Sequence, residues 1–187
     1  MSAPILTDGL VTLRPLEEKD FAAYIGAFAE DPELANMLGV EDDPRPDSLR
    51  DQLERDWVDP PLLRVFEWVI ADAATDDFLG TIMLHSCFWN WRRAETGFWL
   101  APSARGRGVM SHALALLLDW CFDVAGLERM ELTALPENEI VPKIAERFGY
   151  VYEGTLRKRN FERGRRVDLL IWGLLADERP ARGSTPR

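Results

Sequence analysis

Between Leu100 and Met110 the chain reads Leu-Ala-Pro-Ser-Ala-Arg-Gly-Arg-Gly-Val-Met, and this stretch holds its most chemically suggestive spacing. Glycines let a backbone approach a ligand closely, and a helix start offers unpaired N–H donors at the positive end of its dipole. The run Arg105-Gly106-Arg107-Gly108 stands at the mouth of an apolar helical stretch, and its two arginines add mobile positive charge. It reads as a pyrophosphate cradle. Other phosphate motifs fit worse: there is no Gly-Lys-Ser/Thr, and the Gly-x-Gly-x-x-Gly spacing of dinucleotide folds fails because position 111 is serine. A turn rich in Arg and Gly but without a ligand would carry the same four residues, so the surrounding segments must decide.

Those segments resemble the GNAT acetyltransferases. The run Glu95-Thr96-Gly97-Phe98-Trp99-Leu100-Ala101-Pro102, followed by Arg105 to Gly108, is similar to that family's acetyl-CoA signature. Leu135-Pro136-Glu137-Asn138-Glu139 and Ala145-Glu146-Arg147-Phe148-Gly149-Tyr150 resemble its second cofactor-contacting segment. Gly154-Thr155-Leu156-Arg157, Gly164-Arg165-Arg166-Val167-Asp168 and the early Leu13-Arg14-Pro15-Leu16 resemble the branch that acetylates ribosomal-protein N-termini, the RimJ/RimL type. The resemblance runs from about Leu10 to Asp177. It implies a mixed α/β GNAT fold: a twisted, largely antiparallel sheet with one splayed parallel pair, flanked by about four helices.

The resemblance also implies roles. The pyrophosphate of acetyl-CoA would sit on the backbone N–H groups of Arg105, Gly106, Arg107, Gly108, Val109 and Met110. The pantetheine arm would run beside the strand holding Phe98, Trp99 and Leu100, and Asn138 would contact it. The implied reaction is direct attack of a neutral amine on the thioester, the acceptor being a protein N-terminal α-amine or a small amine. Glu95 matches a strand glutamate that serves as base in several relatives. It would help remove the proton that an amine carries at neutral pH. Its plainer reading is an ordinary solvated or ion-paired glutamate next to Arg92 and Arg93. Many relatives place a tyrosine general acid where this chain has Ala145, and the ribosomal branch often a serine where it has Val141. General acid catalysis contributes about 10²–10⁴-fold, but a thiol of pKa about 8.5 is already a tolerable leaving group. The alternatives are therefore a slower enzyme, a GNAT-fold protein that binds acyl-CoA without turnover, and a transferase using another donor such as succinyl-CoA. Dimers are common in the branch.

Other reactive residues have duller explanations. Cys87 has no evident basic neighbour and reads as a strand cysteine, and Cys121 lies on an apolar helix face. His85 is a candidate for the acceptor pocket or a hydrogen-bonded strand histidine, and His112 a surface residue. Trp89 and Trp91 suit an acceptor wall, a dimer contact or edge packing. Two cysteines and two histidines give no metal-ligand cluster. The basic cluster Arg157, Lys158, Arg159, Arg163, Arg165 and Arg166 could contact RNA or the cofactor's 3′-phosphate, but it is interleaved with acids and reads first as a solvated hairpin.

The elements that must position these residues are legible in the pattern. A strand at Leu10–Arg14 is followed by a helix with Phe21, Tyr24, Ile25 and Phe28 on one face. A second helix, capped by Asp47 or Ser48, carries Leu49, Leu53 and Trp57. Strands follow at Val65–Asp72, Phe78–Cys87 and Ala94–Leu100, then a helix from Gly108 to Ala125 stopped by Gly126. Strand Arg129–Leu135, helix Glu139–Arg147 and strands Tyr150–Leu156 and Val167–Leu175 complete one domain, 1–177, with 178–187 expected to be a disordered tail. With 187 residues, 47% of them hydrophobic and seven tryptophans, the chain has ample material for a core. A net charge of −10 argues against nucleic acid and is compatible with cationic substrates. No signal peptide or membrane span is evident at Met1–Pro4 or Val109–Ala125, so a cytoplasmic location is expected.

Overall fold

The structure, a computed structural model, describes residues 4–31, 33–34, 45–54, 66–162 and 164–180. Among the described residues, eight strands make one sheet in the order β1-β2-β3-β4-β5-β6-β8-β7. They are β1 (Leu6–Thr7), β2 (Val11–Arg14), β3 (Phe66–Asp72), β4 (Phe78–Phe88), β5 (Arg93–Leu100), β6 (Arg129–Ala134), β7 (Val151–Glu162) and β8 (Arg165–Leu175). The helices among the described residues are α1 (Phe21–Glu30), α2 (Pro46–Glu54), α3 (Val109–Asp123) and α4 (Ile140–Phe148). Pairs β1–β2, β2–β3, β6–β8 and β7–β8 are antiparallel, and β5–β6 is parallel. This is the mixed sheet with one parallel pair that the resemblance implies.

The chain packs as two compact units, Met1–Met83 with Phe98–Leu117, and Leu84–Gly97 with Leu118–Arg187. In the first unit, Tyr24, Phe28, Leu34, Leu49 and Trp99 are buried together, with Phe78 packed against them. Trp99 meets Tyr24 and Phe28 edge-on at ring-centroid distances of 5.0 and 5.2 Å, the geometry favoured by aromatic quadrupoles. Beneath the start of α1, Arg14 makes a two-pronged pair with Asp20 at 2.7 and 2.8 Å, and both side chains are buried. Asp20 and then Asp76 hold the Arg14 guanidinium firmly charged despite that burial. In the second unit, Leu84, Cys87, Cys121, Leu127, Met130, Leu132 and Leu174 are buried core residues.

The boundaries differ from the sequence pattern in three instructive places. Helix α2 starts at Pro46, ahead of both expected caps, and the fixed φ of proline suits a first helical position; Ser48 Oγ accepts the Arg45 N–H at 3.0 Å. Trp57 lies outside the described residues. Strands β7 and β8 reach past Leu156 and start before Val167, because Arg157, Lys158 and Arg159 form a bulge and do not end the ladder. Leu156 faces Leu169 and Asn160 faces Val167, so three residues of β7 oppose Asp168 alone. Lys158 takes a left-handed φ of 53°, and its N–H donates to Asp168 Oδ1 at 2.7 Å. Finally, Arg179 lies beyond the domain end expected at Asp177, yet it is paired with Asp119 and Asp123 and sits over the Phe122 ring. Residues 181–187 lie outside the described residues.

Candidate active site

In the first unit, the turn before α3 is built by backbone geometry. Gly106 and Gly108 take left-handed φ values of 72° and 79°, a region costly for residues with a Cβ. The Gly108 carbonyl accepts the N–H groups of Ser111 and His112 at 2.9 and 3.3 Å. The first-turn N–H groups of Val109 and Met110 have no carbonyl four residues back within the helix. Their side chains are buried, whereas residues 105–108 are exposed. An exposed helix start anchored by buried side chains is an arrangement that can receive an anion.

The two arginines are not equivalent. The Arg105 N–H is spent on the Pro102 carbonyl at 3.3 Å. Its side chain reaches the Leu100 carbonyl at 3.1 Å and Asp31 at 2.6 Å, where α1 ends. Arg107 makes no ion pair among the described residues and is exposed. Gly80 has a separate role. A Cβ there would lie 2.8 Å from Leu100 Cα and closer still to the Trp99 carbonyl, so only glycine lets β4 approach the end of β5. Because the Trp99 side chain is buried in the aromatic cluster, that residue offers a ligand only its backbone; Phe98 and Leu100 are half-buried.

In the second unit, the parallel pair opens at a glutamate. Arg93, Ala94 and Glu95 are in register with Arg129, Met130 and Glu131, and the register stops there although both strands continue. Strand β6 instead keeps its pairing with β8 as far as Ala134. Glu95 sits at the divergence. Its Oε1 accepts the Thr133 hydroxyl, its Oε2 lies 3.7 Å from His85 Nδ1, and its side chain is 18% exposed. The neighbouring arginines are engaged elsewhere: Arg92 with Glu128, and Arg93 with Glu131 at 2.6 Å. Of the plainer reading, the ion pair with Arg92 or Arg93 is not found. Sequence reading missed Thr133, which lies 38 residues from Glu95 and is brought to it only by the strand register.

The remaining candidates fall into place individually. Asn138 Oδ1 accepts the N–H groups of Ile140 and Val141 at 2.9 and 3.1 Å, so its carbonyl side caps α4 and its amide N–H₂ remains for another group. Val141 and Ala145 are buried on α4. Tyr150 does not replace the absent acid, because it is buried and burial drives its phenol far above the ordinary range. Burial likewise pushes the Cys87 thiol up to about 11, which removes it as a nucleophile near neutral pH. His112 lies 2.7 Å from Asp8. Burial works against the charged Asp8, but the Val11 and Leu10 N–H groups and His112 together hold it below the usual carboxylate range. Trp91 is exposed and stacks on Phe88 at 5.1 Å. Among the described residues no group of three or more His, Cys, Asp or Glu could hold a metal ion, and no helix is long and apolar enough to cross a membrane.

The fold and the signature together define a class, and comparison with known proteins agrees with it. Residues 11–151 match the family model described as acetyltransferase (GNAT) domain. The chain belongs to the GNAT acetyltransferase family. It is similar to the putative ribosomal N-acetyltransferase YdaF of Bacillus subtilis (strain 168), 28% identical across 90% of this chain and 92% of that protein. Among solved structures it resembles a probable GNAT-family acetyltransferase from Chromobacterium violaceum ATCC 12472, with TM-score 0.80 and 25% identity over 95% of this chain and 90% of that one. Its fold also matches a spermidine N-acetyltransferase from Vibrio cholerae in complex with CoA and spermine, with TM-score 0.74 and 22% identity over 91% and 98% of the two chains.

Proposed function

We propose that this chain is a cytoplasmic N-acetyltransferase that moves acetyl from acetyl-CoA to a primary amine, either a protein N-terminal α-amine or a small amine, by direct attack in a ternary complex. The observation that carries this reading is Glu95. It is a half-buried carboxylate at the point where the parallel pair opens, held by one hydroxyl and matched to no arginine among the described residues. A carboxylate in that setting can accept the proton of an incoming ammonium group, whereas one locked between guanidiniums is a poor base. The backbone N–H groups of the Gly106–Met110 turn, with Arg107, would hold the donor's pyrophosphate. The backbone along Phe98–Leu100 and the Asn138 amide would meet its pantetheine arm. Similarity to a putative ribosomal N-acetyltransferase supports a peptide α-amine as one acceptor class.

A second reading, an acyl-CoA binder without turnover, is favoured by the burial of Val141 and Ala145 at positions where relatives carry proton donors. One experiment separates the two. Thiol release is followed with acetyl-CoA and succinyl-CoA against N-terminal peptides and polyamines, beside calorimetric binding of each donor. Amine-dependent release, reduced about 10²–10³-fold in Glu95→Gln with donor affinity intact, is the expected result. Binding without release across the panel would replace the transferase by the binder, and no binding would end both readings.

A further inference from the structure

Acetylating an ammonium group releases one proton overall, and a base that accepts it from a half-buried position must pass it on. The two oxygens of Glu95 have different company. Oε1 takes the Thr133 hydroxyl, which leaves Oε2 for the amine's proton, and Oε2 faces His85 Nδ1 at 3.7 Å. The imidazole side chain is 34% exposed against 18% for the carboxylate, so the pair grades outward toward solvent. No other group among the described residues bonds the ring. The nearby cations Arg92 and Arg93 are committed to Glu128 and Glu131. The carboxylate that faces a protonated His85 is therefore Glu95, with the neutral Thr133 hydroxyl on its far oxygen.

We infer that His85 is the positioning and relay residue for Glu95, the second station of the proton path; this rests on the reading of Glu95 as the base. Imidazole is the side chain suited to taking and releasing a proton near neutral pH. A separation of 3.7 Å is ion-pair distance and longer than a hydrogen bond. Catalytic hydrogen bonds that are long in a free enzyme shorten in its substrate complex. In the step, the ammonium gives one proton to Glu95 Oε2, Glu95 passes it to His85 Nδ1, and the ring releases it to water. The neutral nitrogen bonds to the thioester carbonyl carbon, and the C–S bond breaks with its electron pair on sulfur. The second N–H proton reaches the thiolate through water, so the products are amide, free thiol and one proton in solution.

The test is steady-state kinetics of His85→Ala, His85→Gln and Glu95→Gln, with acetyl-CoA and a panel of alanyl and seryl tetrapeptides and spermidine. His85→Ala should lose about tenfold in kcat, less than the ~10²–10⁴-fold typical of a direct acid or base, with both KM values within about twofold. Added imidazole should restore most of that loss. His85→Gln, which fills the space without a titrating nitrogen, should stay slow. Wild-type kcat in His85→Gln, or a loss in His85→Ala that imidazole does not touch, would assign His85 to packing and overturn the relay. Unchanged kcat in both His85 variants beside a silenced Glu95→Gln would remove His85 from the path and leave the base standing. An unimpaired Glu95→Gln, or no turnover with any acceptor, would overturn the base and the relay together.

Discussion

Glu95 and Glu131 face each other in register and differ only in their company. Glu131 accepts Arg93 at 2.6 Å and Arg129 at 2.7 Å, and it is 8% exposed. Glu95 has a hydroxyl and an imidazole. The sequence places Arg93 two residues from Glu95, on the same face of β5, yet its guanidinium reaches across to Glu131, so nearness in sequence does not decide the pairing. Which carboxylate a guanidinium meets depends on the register of β5 against β6, and that was not legible. The acidic residue itself was legible through the family signature. Thr133→Val should lower kcat by up to about tenfold, because a hydrogen bond to a charged group is worth about 1.5–3 kcal/mol and part of that holds the carboxylate in place. KM for acetyl-CoA should not move, and urea melts should show a fold close to wild type. An unchanged kcat would mean that Glu95 needs no pin.

At the scale of elements, the segments with clear periodicity were read within one or two residues, including α1 and the strand that ends at Leu100. The failures were places where a local break masks a continuous element. Three consecutive basic residues interrupt the alternation of β7, yet the ladder resumes because the bulge at Lys158 absorbs them. The two-residue strand β1 is too short to leave a pattern. The turn geometry was legible from its glycines, and it gives two separable predictions. Gly108→Ala puts a Cβ in open space but at a φ of 79°, so it should cost about 1–2 kcal/mol and raise the acetyl-CoA Kd about tenfold by displacing the cradle's N–H groups. Gly80→Ala drives a Cβ into the backbone of Trp99 and Leu100, which cannot rotate away. It should destabilise by about 1–3 kcal/mol or prevent folding, as overpacking does. Urea titration and donor calorimetry check both; an unchanged acetyl-CoA Kd in Gly108→Ala, or a Gly80→Ala as stable as wild type, would contradict them.

For the molecule as a whole, charge sets the response to pH. Glu153 is held below the usual carboxylate range by Arg129, and Asp8 below it by its N–H donors and His112 against burial. Folded-state carboxylates of this kind bind a proton less readily than in the unfolded chain. Their contribution is therefore fully present above about pH 4–4.5 and is lost as pH falls through the folded values. The urea midpoint should drop between pH 7 and pH 3, and Glu153→Gln should lower it at pH 7 while narrowing that difference. Beyond Asp177, Arg179 should contribute about 1 kcal/mol, so Arg179→Ala should lower Tm by about 2–4 °C, less so in high salt. The composition of the tail marked it as polar but did not show that Asp119 and Asp123 present two carboxylates one helical turn apart to receive it.

The burial of both cysteines has a practical outcome. Cys87 and Cys121 are the chain's only thiols, each fully buried, and burial holds both above the ordinary thiol range. A colorimetric thiol trap added to native protein will therefore register coenzyme A alone, with no background from the polypeptide. In the absence of donor, the rate at which the same reagent labels two sulfurs per chain becomes a clock for how often the surrounding core opens.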